Sequence, residues 1–395
     1  MRIIILIFIG SLLFFSCKDD KEDNQKPELK LIDKGFKFFD LDDETNYENI
    51  GLKLNKIDGK DYISFFNRNN WSIYFYDYAT GKIHNKVTMQ KEGPDAVAAP
   101  YFFLEYFAHN TDSIFINTHK FYYLVNSQGK LLDNGALNSE ENKSFFEAKN
   151  LSFDNATYYK NNTIYCGLNT SLSKSEIPLL RGAFNLESKK IENEQIAENI
   201  LVKDYDAVTQ IKSELAKNGG MTSLDKYFVR NEEYLLGSTS ISDSIYLFKD
   251  DNLIKTIYAS DPDIKTANFK SFFDRWKVET FEGGGISISS KGEQPPFFTD
   301  MLIDPNEKFI YRILIHGTKP VFNEELKREL PEVIGTTLVV VNIESGTVHH
   351  FELPMEEISV KTYARGLFVN DAGIHFPVRE QENENEIRYK VFKVE

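Results

Sequence analysis

The feature that most constrains this chain is a recurring unit. From Ile50 onward, short runs rich in Val, Ile, Phe, Tyr and Thr alternate with turns of Gly, Asn, Asp and Ser. Runs of that length and composition read as strands, and helical periodicity is nearly absent. The clearest unit has strands at 50–56, 61–67, 71–78 and 82–89, joined by Asp58-Gly59-Lys60, Arg68-Asn69-Asn70 and Thr80-Gly81. It is a four-stranded antiparallel meander with hairpin-length turns.

The unit recurs. Its second copy takes 101–107, 113–118, 121–126 and 130–137; its third, 150–159, 163–169, 179–186 and 190–196. A fourth takes 224–230, 234–240, 244–250 and 253–259; a fifth, 297–304, 309–317, 336–343 and 347–353. The last copy, 363–370, 374–380 and 387–395, ends one strand short, and an unassigned run at 29–41 supplies the missing strand. Twenty-four strands in six groups of four predict an all-β, six-bladed β-propeller whose last blade is closed by the N-terminal strand, which removes the open sheet edges. The segment around Phe36 should then lie beside the segment around Tyr389. The alternative is two separate β-sandwiches. A length of 395 residues would otherwise suggest two or three domains, but a repeat architecture absorbs it in one, over residues 29–395.

First strands begin near residues 50, 101, 150, 224, 297 and 363, and the uneven spacing places surplus chain at 197–223, 260–296 and 318–335. A helix is expected over 206–217, where Val208, Ile211 and Leu215 share one face. A second is expected over 323–330, with Glu324 and Glu325 in its first turn and Pro331 as its stop. All three insertions belong to the loops between second and third strands or between blades. In a propeller those loops emerge on one face, and insertions gathered on one face commonly build a binding surface.

The N-terminus carries its own signal. Arg2, an apolar run over 3–15, then Ser16 and Cys17 fit an export signal peptide over residues 1–16, too short to cross a bilayer comfortably. Ser16-Cys17 resembles a lipobox, which implies diacylation of Cys17; a plain secretory peptide is the alternative. Lys18-Asp19-Asp20-Lys21-Glu22-Asp23 opens a flexible tether over residues 17–28 and resembles the export tag of surface-exposed Bacteroidetes lipoproteins. The expected location is the cell envelope, as an outer-membrane lipoprotein at the surface or facing the periplasm, with the membrane contacted through the lipid alone. After cleavage Cys166 is the other thiol; it sits mid-strand, so no intramolecular disulfide forms and a buried, inert thiol is expected.

Charge and motifs exclude much. With 46 basic and 60 acidic residues the formal charge is −14, which repels phosphate backbones, so nucleic acid is not an expected partner. Nucleophile-elbow, zincin, Cys-x-x-Cys and phosphate-loop signatures are missing, and no cofactor or metal is expected. Gly283-Gly284-Gly285 reads as a loop. His349 and His350 are adjacent on a strand and point to opposite faces, unsuited to one metal. Asp261-Pro262-Asp263 could chelate a hard cation, but more often such a tripeptide shapes a turn. Asp112-Ser113-Ile114 and Asp243-Ser244-Ile245 lie at equivalent strand entries; they resemble an O-glycosylation acceptor pattern of exported Bacteroidetes proteins, while Asp and Ser are also ordinary turn residues.

Glu92-Gly93-Pro94 between the first two units, the Asp-Ser-Ile entry and the Gly-Lys hairpins together resemble TolB-like six-bladed β-propeller lipoproteins of Bacteroidetes, including a domain-of-unknown-function family. The likeness spans most of the mature chain, is strongest over 58–137, and implies fold and location without an activity. The expected function is a ligand- or partner-binding module on a lipid tether, monomeric, taking a glycan, peptide or protein. Arg68, Asn70, Glu92, His119, Lys120, Trp276, Lys319 and Arg365 are the candidate binding residues at the loop-rich face. Trp276 is suited to stacking on a ring, and Arg68 and Arg365 to holding a carboxylate. Each could equally be ordinary packing or solvated surface. The alternatives are a carbohydrate hydrolase or lyase with carboxylates and a histidine in the central funnel, and a structural component of an envelope complex.

Overall fold

A computed structural model describes residues 29–45, 52–97, 105–118, 121–137, 149–170, 181–193, 226–230, 233–250, 252–265, 276–280, 286–290, 293–324, 327–360, 366–380 and 383–395. The first strand, β1 (Leu31–Asp40), stands apart from the unit that follows it. Blade one is β2 (Lys53–Ile57), β3 (Lys60–Asn67), β4 (Ser72–Asp77) and β5 (Ile83–Thr88). Blade two is β6 (Glu105–Asn110), β7 (Ser113–Asn117), β8 (Phe121–Val125) and β9 (Leu131–Ala136). In blade three the inner strand is split into β10 (Lys149–Ser152) and β11 (Tyr158–Lys160), followed by β12 (Thr163–Thr170), β13 (Arg181–Asn185) and β14 (Ile191–Asn193).

Blade four is β15 (Lys226–Arg230), β16 (Leu235–Thr239), β17 (Ser244–Lys249) and β18 (Asn252–Tyr258). A ribbon of β19 (Trp276–Thr280) and β20 (Ile286–Ser290) precedes blade five. Blade five is β21 (Phe297–Ile303), β22 (Phe309–Ile315), then a second ribbon of β23 (Thr318–Asn323) and β24 (Arg328–Val333), then β25 (Thr336–Asn342) and β26 (Val348–Glu352). Blade six is β27 (Phe368–Asn370), β28 (Gly373–Pro377) and β29 (Glu386–Val394), with β1 as its outer strand. The antiparallel register runs Leu31↔Val394 through Asp40↔Glu386, with Lys37 opposite Tyr389. The expected six-bladed propeller and its closure are what the chain forms.

The core lies between blades, in six apolar clusters, one per interface. Blades one and two share Phe66, Ile73, Phe75, Tyr106 and Ile114. Blades two and three share Phe115, Tyr122, Ile164 and Phe184; three and four, Ala156, Phe228 and Phe248; four and five, Leu236, Ile245, Phe298 and Val341; five and six, Phe297, Ile313, Ile374 and Phe392. The ring closes where Phe39, Phe368 and Tyr389 meet Phe65, Tyr74 and Tyr76. Alternate side chains of one strand serve opposite neighbours: Leu338 and Val340 face blade six, whereas Val339 and Val341 face blade four. A strand sandwiched on both sides has no polar face, which is why these runs read as continuously apolar.

Two local readings are corrected. Residues 323–330 do not form a helix: 318–323 and 328–333 are the two arms of a hairpin, with Pro320 opposite Pro331 and Val321 opposite Leu330. Two facing prolines fit a ladder only at a non-hydrogen-bonded pair, where neither nitrogen would have donated. Lys327 at φ 50° turns the corner that a helix would have passed through. The run 150–159 is likewise not one strand. Ser152 pairs with Gly167 and Tyr158 with Tyr165, so five residues, 153–157, lie opposite Cys166 alone. Asp154 holds that bulge, accepting the Ala156 amide and the Thr157 hydroxyl at Oδ1. The helix expected over 206–217 lies outside the described residues, as do Gly283-Gly284-Gly285.

Candidate functional site in the axial channel

The six inner strands line a cavity of about 410 Å³ on the propeller axis. Blades four and five contribute the last residues of their inner strands, Val229 and Arg230 from β15 and Leu302 and Ile303 from β21. The cavity therefore leans toward the face of the turns joining first to second strands. Both described chain ends are at that face too, because β29 ends and β1 begins there; the Lys30 amide donates to the Glu395 carbonyl at 2.8 Å.

Its wall is built from positions where an apolar inner strand carries an isolated polar residue. Lys53 reaches from blade one and donates to the Tyr106 carbonyl of blade two and the Phe153 carbonyl of blade three, both at 3.0 Å, with its ammonium over the Tyr106 ring. One cation thereby ties three blades at the axis. The blade-three bulge pushes Asp154, Asn155 and Thr157 into the lining. The Asp154 carboxylate is backed by the fully buried Arg181, whose guanidinium lies 3.4 Å from both oxygens and also donates to the Ala156 carbonyl at 2.9 Å. Gly167 makes room for it, since a Cβ there would come within 2.6 Å of Asp154 Oδ2.

Across from Lys53 stands an ordered stack. Tyr165 and Tyr158 lie 4.5 Å apart and nearly parallel at 3°, and the Arg230 guanidinium sits 4.4 Å above the Tyr158 ring. Stacking of this kind holds a guanidinium flat and oriented. His109 packs at 4.8 Å from the Tyr159 ring, and burial pushes its pKa below the usual histidine value. At neutral pH it is thus an uncharged hydrogen-bonding group.

The opposite face carries the described insertions. The β19–β20 ribbon lies between blades and the β23–β24 ribbon between the second and third strands of blade five, the two loop types of one face. Gln294 and Thr318 join these connections by paired backbone hydrogen bonds at 3.3 and 3.0 Å. Arg379 of blade six approaches Glu332 of the ribbon at 3.5 Å.

Arg68 and Asn70 lie in the turn between β3 and β4 at this face, Glu92 in the connection from blade one to blade two, and Lys319 in β23. Asn70 donates to Glu44 at 2.9 Å and to the Tyr74 hydroxyl at 2.7 Å, and Lys319 sits 3.5 Å from Glu332. None of these four lines the axial cavity. Trp276 opens β19 opposite Ser290. His119, Lys120, Arg365 and Cys17 lie outside the described residues.

Other singled-out groups have structural partners. Asp261 accepts the amides of Asp263 and Ile264, a turn-shaping pattern. Cys166 is a buried thiol in the interface of blades two and three. Ser113 opens a second strand and Ser244 a third, so the two Asp-Ser-Ile entries are not equivalent and lie on opposite faces. Lys53, His109, Asp154, Tyr158 and Arg230 were not singled out from sequence. Their common signal is a polar residue interrupting the innermost strand of a unit.

A closed ring of six four-stranded blades with a ligand-sized axial cavity defines the class as a six-bladed β-propeller. Within it the chain belongs to the family described as "Domain of unknown function (DUF4221)", whose profile matches residues 28–325. The crystal structure of a member of that family from Bacteroides vulgatus is similar over 93% of this chain and 99% of its own, with a TM-score of 0.68 and 16% identity. A Bacteroides fragilis protein gives 0.49 at 9% identity over 93% and 95% of the two chains. The Pan2 WD40 domain of Neurospora crassa gives 0.40 at 8% over 90% and 95%. No curated protein matches in sequence. At these identities the likeness speaks to fold alone.

Proposed function

We propose that the protein is an exported, lipid-anchored binding propeller that takes a small ligand in its axial channel. The observation that carries this is the 410 Å³ cavity with a few converging polar groups, within the usual size range of small-molecule sites. The anchor rests on the N-terminal signal and the Ser16-Cys17 pair. A lipid on Cys17 would leave from the face toward which the cavity leans and turn the insertion-bearing face outward. In metabolic labelling with palmitate, the wild-type chain should take up label and fractionate with the outer membrane, and Cys17→Ala should do neither. A labelled Cys17→Ala chain would remove the anchor from this reading.

A glycan, peptide and metabolite screen with the chain from Lys18 onward, which keeps β1, tests the binding role. A ligand should raise the melting temperature in proportion to its concentration, and its footprint should fall on channel residues. A footprint confined to the blade edges would overturn the proposal. Partner docking on the insertion face is a second reading, favoured by the exposed apolar side chains Val321, Phe322 and Ile334 on and beside the β23–β24 ribbon. Cross-links from that ribbon to a second protein would support it, with Phe322→Asp reducing them. The carbohydrate hydrolase or lyase reading is weaker: among the described lining residues Asp154 is the one carboxylate, and a glycosidase needs a pair.

A further inference from the structure

We infer that the axial channel selects a small organic anion, a ring-sized body carrying a carboxylate, held between Lys53 and the Tyr158–Arg230 stack. This rests on the reading of the channel as a ligand site and names the class of ligand.

Three observations carry it. The chain as a whole has a formal charge of −14, yet the described lining residues of the channel include Lys53, Lys56 and Arg230 against the single carboxylate of Asp154, which Arg181 already backs at 3.4 Å. A cavity whose charge opposes that of the rest of the molecule focuses the field on ions of one sign, here anions. Second, Arg230 is oriented in advance by its 4.4 Å stack on Tyr158, itself braced by Tyr165. A guanidinium fork fixed in this way loses little rotamer freedom on binding and matches the two oxygens of a carboxylate. Third, the wall offers an aromatic ring, Tyr159, and uncharged hydrogen-bonding groups, Asn155 and Thr157, to the body of such a ligand. A bare inorganic ion would leave these unused. A cavity of about 410 Å³ admits a monosaccharide or a single aromatic ring together with a few waters.

The test uses matched pairs that differ in charge and hardly in shape: glucuronate with glucuronamide, and benzoate with benzamide. Saturation-transfer NMR and titration are run on the chain from Lys18 onward. At least one acid should bind at least ten-fold more tightly than its amide, and the preference should shrink as salt rises. Arg230→Gln should abolish the preference, whereas Lys160→Gln, an exposed charge outside the cavity, should leave it intact. The wild-type comparison needs no variant, so it stands even if Arg230→Gln folds poorly. Equal binding of acid and amide in the channel would overturn the anion inference and leave the binding reading in place. Acids that show no transfer at millimolar concentration would also overturn it, and the screen above would then decide the binding reading by itself.

Discussion

His375 illustrates how a titratable residue can be spent on packing. It is fully buried in β28, stacked 4.2 Å from Phe368, with one ring nitrogen 2.7 Å from the Tyr78 hydroxyl of blade one and the other 3.0 Å from the Gly373 carbonyl. Burial, with Lys37 nearby, outweighs the backbone hydrogen bonds and pulls its pKa from 6.5 to about 3. A base with a depressed pKa stays neutral in the fold while the unfolded chain takes up the proton. Its contribution is therefore complete above pH 6.5 and is lost as pH falls toward 3, at about 1.4 kcal/mol per unit within that window. His375→Gln should cost about 1–2 kcal/mol at pH 7. It should also flatten the decline of the urea midpoint between pH 6.5 and 4. Parallel declines in the two chains would refute the assignment.

Among elements, the closing strand β1 has its own electrostatic latch. Lys390 of β29, 5% exposed, bonds Asp33 of β1 at 2.7 Å and Glu357 of the preceding connection at 2.5 Å, with its ammonium 4.6 Å from the Phe36 ring centroid. Burial works against the ammonium, but the two carboxylates prevail and raise its pKa, while the Lys390 hydrogen bond lowers that of Asp33. The lowered acid contributes above about pH 3.8 and loses its contribution on acidification; the raised base contributes below about pH 10.5 and loses it in alkali. The latch is thus fully present at neutral pH. Lys390→Met keeps the stem and removes the charge; both carboxylates are about half exposed, so the expected cost is about 1–2 kcal/mol. Chemical denaturation at pH 4, 7 and 10.5 checks this, with the largest difference at pH 7.

The elements also divide what the sequence discloses from what it hides. Strands such as β3, β4 and β25 were legible because both their faces are buried and their central runs are mostly apolar, as in Ile73 to Tyr76 and Leu338 to Val341. The β23–β24 ribbon was not, because Glu324, Glu325 and Pro331 satisfy the start and stop rules of a helix equally well. The decisive fact is that Pro320 and Pro331 face each other, and that pairing becomes visible only once the chain has folded back. The bulge at 153–157 was hidden for a similar reason: Asp154 turns the chain locally, but its aim into the channel depends on Arg181 arriving from β13.

On the scale of the whole molecule, the ring was readable by counting and the channel was not. Strand number and the short final unit dictate closure, since an open row of blades would leave unpaired edges. Where Lys53, Tyr158 and Arg230 converge is set by the ring geometry, which brings together residues of blades one, three and four that are far apart in sequence. Sequence directed attention instead to the longest loops, and the described ribbons of those loops lie at the opposite face. The start of β1, the channel and the described ribbons are therefore ordered along one axis, an arrangement that holds only if β1 completes blade six.

That closure can be measured covalently. Phe38 of β1 and Arg388 of β29 are directly opposite, a spacing that two cysteines can bridge. In the chain from Lys18 onward, the Phe38→Cys, Arg388→Cys variant should oxidise to an intramolecular disulfide in the native state, losing two free thiols with Cys166 still reduced, and should melt at a higher temperature than its reduced form. Two persistently free thiols in a folded protein would contradict the closed ring.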